Sequence, residues 1–177
     1  MLNYKSATVW VREAKTMMRI LVICTHNSAR SQMAEAWLRT YAKELGFNAE
    51  IVSAGTEKTF VKPNAIKVME EAGIDMARHS SKALSELEDK WNFDLVITVC
   101  DKANEVCPVY ASKTKRLHYS FEDPSGKPLR YWRETRNDIS KFAKVLIRRS
   151  MKSENISASL IKAEIEKEKK RRKQKRR

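Results

Sequence analysis

Ile20-Leu21-Val22-Ile23-Cys24-Thr25-His26-Asn27-Ser28-Ala29-Arg30-Ser31 runs four apolar residues, three of them β-branched, straight into a cysteine. Gln32-Met33-Ala34-Glu35-Ala36-Trp37-Leu38 follows and reads as helix. A strand that ends in a small polar loop and opens a helix aims backbone N–H groups and a helix N-terminus at one spot, which is an anion site. Those dipoles and Arg30 would stabilise a Cys24 thiolate. The Arg30 guanidinium can grip two oxygens of a tetrahedral oxyanion in a fork. Nucleophile and oxyanion cradle thus come from one loop, Thr25 to Ser31. A cysteine at a strand end is often inert, and Cys-x5-Arg recurs by chance. The strand before the pair, Ser31 after it and the helix beyond favour chemistry over coincidence.

Outward from this stretch, apolar runs and helical stripes alternate. Arg19–Ile23 is the first strand, apolar at successive positions as a strand covered on both faces should be. Ser31–Leu45 is a helix with Met33, Ala34, Trp37, Leu38, Tyr41 and Leu45 on one face, closed by Gly46. Ala49–Ser53 is a short strand, and Ala54-Gly55 is its turn. Pro63 opens a second helix whose buried stripe is Ala65, Ile66, Met69 and Ala72, and Gly73 closes it. A weaker helical segment is expected at Leu84–Asp89. Phe93–Val99 is the clearest later strand, and it too runs into a cysteine, Cys100. Lys115–Tyr119 is a modest strand. A long helix starts near Leu129 with Trp132, Thr135, Ile139, Phe142, Ala143 and Leu146 inside. Further helix is expected through Ile156, Leu160, Ile161 and Ile165. The alternation predicts an α/β three-layer sandwich: a four-stranded parallel sheet with helices on both faces. Ligands of such sheets sit beyond the carboxyl ends of strands, where both Cys24 and Cys100 fall.

The 177 residues make one domain with appendages: an extension over 1–18, a catalytic domain over 19–150 and a basic, helical tail over 151–177. No run of 18 apolar residues is present, so no membrane span is expected. Met1–Thr16 lacks the apolar core of a secretory signal. Three cysteines are too few and too odd for a secreted scaffold and point to the reducing cytoplasm. The net charge of +14 is uneven, because residues 167–177 alone carry +8. Such a tail can contact nucleic acid or an anionic surface, or stand solvated and bind nothing. No aromatics are interleaved with it, so base stacking is not expected.

Cys100-Asp-Lys-Ala-Asn-Glu-Val-Cys107 sets two cysteines seven apart. On a helix that is close to two turns, so the thiols share a face roughly 10 Å apart. A disulfide needs Cα atoms within about 7 Å, so oxidation would have to unwind or bend the segment if it is helical. Two structural cysteines or a metal pair are the other readings, and the scarcity of further soft ligands argues against metal. Asp123 before Pro124 is a carboxylate in turn chemistry, Phe121-Glu-Asp-Pro-Ser-Gly126. Such a group can protonate a leaving oxygen, or serve the turn alone.

Cys24-Thr-His-Asn-Ser-Ala-Arg30-Ser31-Gln-Met-Ala-Glu35 resembles the oxyanion loop of the low-molecular-weight tyrosine phosphatase fold (phosphatase-I-like). Together with Cys100 and Cys107 it is most similar to the thioredoxin-coupled arsenate reductases of that fold, over roughly residues 19 to 147. The resemblance implies that Cys24 attacks arsenate, Cys100 attacks Cys24 as arsenite leaves, and Cys107 attacks Cys100. It implies a Cys100–Cys107 disulfide reduced by thioredoxin, Arg30 on the oxyanion and Asp123 as general acid. The plain phosphatases share the loop but not the cysteine pair, so a phosphatase using Cys24, Arg30 and Asp123 is the alternative. Asn27 and Ser31 look like loop supports, Asn because it tolerates a left-handed backbone. His26 stands where many members have glycine, so the backbone there must avoid glycine-only angles. Ala29 stands where several have a further cysteine. Some members hold potassium through residues matching Asn27, Glu35 and Ser53 plus an aspartate, at whose position Lys82 stands. No potassium site is therefore expected, and no other metal and no bound cofactor are expected either. His79 and His118 are expected to be structural.

Overall fold

The computed structural model describes residues 17–108, 110 and 112–175. Most of the 1–18 extension lies outside the described residues. Four parallel strands form one sheet: β1 (Met18–Cys24), β2 (Ala49–Gly55), β3 (Leu95–Thr98) and β4 (Lys115–His118), in the order β2-β1-β3-β4. The helices are α1 (Arg30–Glu44), α2 (Pro63–Glu70), α3 (Asp101–Val106), α4 (Leu129–Met151) and α5 (Ala158–Gln174).

The chain leaves β1 for β2 on one side and comes back to β3 on the other. The crevice where the order reverses therefore opens beyond the ends of β1 and β3. Ile20, Leu21, Val22 and Ile23 are each 0% exposed, so β1 is covered on both faces. Each such side chain contributes about 1.5–3 kcal/mol by leaving water. Helix α4 buries the expected stripe, Trp132, Thr135, Ile139, Phe142, Ala143 and Leu146. It packs on α1, α2 and α5, while α3 packs on β1 and β3.

Four elements differ from the sequence reading, the first being β2, which runs on through Ala54 and Gly55 where a turn was expected. Leu84–Asp89 is not a helix but a 3₁₀ turn over Leu84–Glu86, closed when Ala83 N–H donates to Glu86. Only Leu84 and Leu87 pack against the core there, and only partly buried, so too little apolar face is covered to sustain a longer helix. Strand β3 pairs only over Leu95–Thr98, with Phe93 and Val99 outside the ladder. Near Met151 the chain breaks, with Ser153 at φ 54°, and α5 restarts on the Ser157 cap, whose Oγ accepts from Leu160 N at 3.3 Å. Ile161 and Ile165 bury against the core, and Arg148–Glu168 (2.6 Å) and Arg149–Glu164 (3.1 Å) tie α5 to α4.

Candidate active site

The carboxyl end of β1 delivers Cys24 into the crevice, and α1 begins six residues later at Arg30. Between them the loop turns on Asn27, whose φ of 47° is the left-handed backbone a tight anion nest needs. His26 keeps a negative φ, so its side chain costs the turn nothing. Gly55, opposite Cys24 in the β1–β2 ladder, is the other fixed point. A Cβ there would overlap the Glu57 carbonyl and stand 2.8 Å from Thr25 O and 2.9 Å from Asn27 N. Only glycine lets β2 pass this close beneath the loop.

Asn27 is fully buried and its side-chain orientation is fixed by what surrounds it. Its Oδ1 accepts from Lys82 N and Gln32 Nε2, both at 2.9 Å. Its Nδ2 therefore donates, to Ser31 Oγ at 3.0 Å and Ser53 Oγ at 2.8 Å. The Ser53 hydroxyl in turn donates to the Glu35 carboxylate, which Arg39 holds at 2.8 Å. Lys82 Nζ stands 3.8 Å from the same carboxylate. His79 Nδ1 meets Gln32 Oε1 at 2.9 Å, so this histidine supports the residue that supports Asn27.

Cys24 Sγ lies 2.8 Å from Ser31 Oγ and accepts from Asn27 N at 3.1 Å. Burial pushes its thiol up, against these two hydrogen bonds, which pull it down. The sequence reading anticipated only the lowering influences. Arg30 faces the acid loop: Nη1 donates to Phe121 O at 3.1 Å and Nη2 to Asp123 Oδ2 at 2.7 Å. Burial opposes ionisation of Asp123, but Ser125 N–H and hydroxyl, Arg30 and Lys62 together outweigh it and hold the carboxyl below its usual range. Lys62 is a site residue the sequence reading missed. Its N–H donates to Ser28 O at 2.8 Å, and its Nζ donates to Ser125 Oγ at 2.8 Å. One residue thus straps the anion loop to the acid loop. Glu122, the neighbour of the acid, is occupied by Lys127.

Cys100 follows β3 and lies beside Cys24, since Val99 N donates to Ile23 O at 3.0 Å. Thr25 Oγ1 and Cys100 Sγ share a 3.4 Å hydrogen bond, and the charge of Cys100 adds to the upward push on Cys24. Cys100 and Cys107 cap the two ends of α3, and all three thiols are free and buried. Burial raises the Cys107 thiol, opposed by Arg116. His118 ties α3 to β4, with Nδ1 at 2.9 Å from Thr98 Oγ1 and Nε2 at 3.0 Å from Asp101 Oδ1. Among the described residues no group of three or more His, Cys, Asp or Glu side chains is placed to hold a metal, and no helix is long and apolar enough to cross a membrane.

A buried cysteine at the switch point of a parallel sheet, with an arginine opening the next helix, defines the class of cysteine-dependent oxyanion enzymes. The chain belongs to the low molecular weight phosphotyrosine protein phosphatase family, whose pattern it matches over residues 19–158. It is similar to arsenate reductase 1 of Bacillus cereus, 43% identical over 121 residues, covering 68% of this chain and 87% of the relative. A solved arsenate reductase in the phosphate binding state matches with TM-score 0.66 and 29% identity, over 75% of this chain and 98% of that one. A low molecular weight protein tyrosine phosphatase from T. tengcongensis matches with TM-score 0.67 and 31% identity, over 75% and 99%.

Proposed function

We propose that this enzyme reduces arsenate to arsenite through Cys24, Cys100 and Cys107, with thioredoxin or a similar dithiol as the final reductant. The observation that carries the reading is the line of three buried thiols: Cys24 and Cys100 at adjacent strand ends, and Cys107 one six-residue helix away. Cys24 thiolate displaces an oxygen of arsenate as water, forming a sulfur–arsenic bond. Cys100 then attacks the Cys24 sulfur; the sulfur–arsenic bond breaks and its electron pair leaves with arsenic as arsenite. Cys107 attacks Cys100, frees Cys24 and leaves a Cys100–Cys107 disulfide, which the external dithiol reduces. Arsenic gains the two electrons that the cysteine pair loses.

Arg30, with the loop N–H groups of Thr25 to Ser31, holds the oxyanion. An oxyanion competing for Arg30 weakens the Arg30–Asp123 pair and restores the Asp123 carboxyl toward a protonated donor, the form in which it can serve the departing oxygen. Potassium has no role in this scheme, because Lys82 and Arg39 already bring cations to Glu35. The cytoplasm is the compartment in which three unpaired thiols persist.

A second reading, phosphoester hydrolysis, needs only Cys24, Arg30 and Asp123, and the Arg30–Asp123 pair favours keeping it in view. Cys107→Ser separates the two. On the reductase reading it abolishes multiple-turnover arsenate reduction with thioredoxin while p-nitrophenyl phosphate hydrolysis survives. Arsenate turnover equal to that of the unmodified enzyme would refute the relay.

A further inference from the structure

Helix α5 lies almost wholly beyond the part of the chain that matches its family, which ends at residue 158. Its first half is spent on the fold, through Ile161, Ile165, Glu164 and Glu168. Its second half is not. Lys169, Lys170, Arg171, Arg172 and Lys173 are consecutive and every one is exposed. At 100° per residue, five successive side chains cover the whole circumference of the helix. Lys169 pairs with Glu166, and among the described residues no ion pair occupies Lys170, Arg171, Arg172, Lys173 or Lys175. Uncompensated like charges on one helix repel, so neutralisation by an anionic partner would stabilise this segment. The same sign continues onto the domain, where a cleft of about 360 Å³ between α1, α4 and α5 is lined by Arg136, Lys141, Lys144, Lys169 and Arg172, with Glu168 its one acid.

The distribution selects among polyanions. A lipid surface meets one side of a helix and takes up an apolar face, but the buried apolar residues of α5, Ile161 and Ile165, are already covered by the core. A ring of cations instead suits a groove with phosphates on both walls. The major groove of B-form DNA, about 12 Å wide, admits a helix of about 10–12 Å diameter. The deep, narrow major groove of A-form RNA does not.

We propose that the C-terminal turns of α5 form a sequence-independent binding site for duplex DNA, contacting phosphates and using none of the residues of the Cys24 loop. The site is independent of the arsenate reading. Five uncompensated cations that neutralise five phosphates and release their counterions predict a log affinity against log salt slope of about −4.5, or about 500-fold weaker binding between 50 and 200 mM salt. The test is fluorescence anisotropy of a labelled duplex DNA of arbitrary sequence with the full-length protein. It is repeated with Lys170→Gln/Arg171→Gln/Arg172→Gln/Lys173→Gln combined, whose fold is checked by circular dichroism and p-nitrophenyl phosphate hydrolysis. The expected result is steep salt dependence, at least about 100-fold weaker binding by the variant at low salt, and unchanged hydrolysis. Absence of binding at 50 mM salt, equal binding by the variant, or tighter binding to duplex RNA or to phosphatidylserine vesicles would each overturn the proposal.

Discussion

Replacing Ser31 with alanine should move the titration of Cys24 toward alkaline pH and lower the reactive thiolate fraction about 10- to 100-fold. Asn27 Nδ2 donates to Ser31 Oγ, so the Ser31 hydroxyl proton is free to point at Cys24 Sγ, 2.8 Å away. A hydrogen bond to a charged group in a site this buried contributes about 1.5–3 kcal/mol. At about 1.4 kcal/mol per factor of ten, that is about 10- to 100-fold in favour of the thiolate. Burial already holds the Cys24 thiol above its ordinary value, and Ser31 is the first influence opposing it. Removing Ser31 lowers the thiolate fraction about 10- to 100-fold at any pH below the titration. The assay is the rate of iodoacetamide alkylation at Cys24 against pH, followed by mass spectrometry. Cys100→Ser/Cys107→Ser serves as the common background. The Ser31→Ala profile should keep its alkaline plateau and shift its midpoint upward. An unchanged midpoint, or a shift to lower pH, would refute the hydrogen-bond direction assigned here.

Gly55→Ala forces a Cβ into the backbone of Thr25, Asn27 and Glu57, so the loop must move; thermal unfolding should show a loss of about 1–3 kcal/mol and hydrolysis should collapse. Unchanged stability and activity would contradict the close approach. Lys62→Met removes a cation that helps hold the Asp123 carboxyl down, so that carboxyl rises and stays protonated to higher pH. The alkaline limb of kcat for p-nitrophenyl phosphate should therefore move up in pH while KM rises, and a downward move would count against the strap. His118→Ala releases Asp101 and Thr98 from β4 and loosens α3. Diamide should then form the Cys100–Cys107 disulfide faster than in the parent, and an equal or slower rate would show that this tether does not restrain the helix.

The strand, loop and helix from Ile20 to Leu38 were legible because their signals are local: an apolar run, a small polar loop, then a helical stripe. The left-handed Asn27 was legible for the same reason, since the preference belongs to the residue itself. What escaped the sequence lies in pairs brought together from afar. Lys62 meets Ser125 across 63 positions, Gln32 meets His79 across 47, and nothing in either local sequence marks the partner. The pairing of Arg30 with Asp123 is of this kind, and it is why an arginine read only as an oxyanion ligand also fixes the acid. Gly55 read as a turn residue, whereas its role comes from a loop 30 residues earlier passing over it (Thr25). The buried apolar stripe by which α5 docks is Ile161 and Ile165, too short to stand out against so many charges, and the ion pairs of Glu164 and Glu168 with Arg149 and Arg148 are again contacts between distant positions. The helical segment expected at Leu84–Asp89 is in place but shrinks to one 3₁₀ turn, because only Leu84 and Leu87 are partly covered by the core.

The most direct test of the central claim is to reduce the protein fully, expose it to arsenate without thioredoxin, alkylate the remaining free thiols and map the products by mass spectrometry. The account predicts one equivalent of arsenite released, Cys24 alkylated, and Cys100 joined to Cys107. Three alkylated cysteines with no arsenite formed, while p-nitrophenyl phosphate is hydrolysed, would contradict it and leave a phosphatase whose cysteine pair is structural.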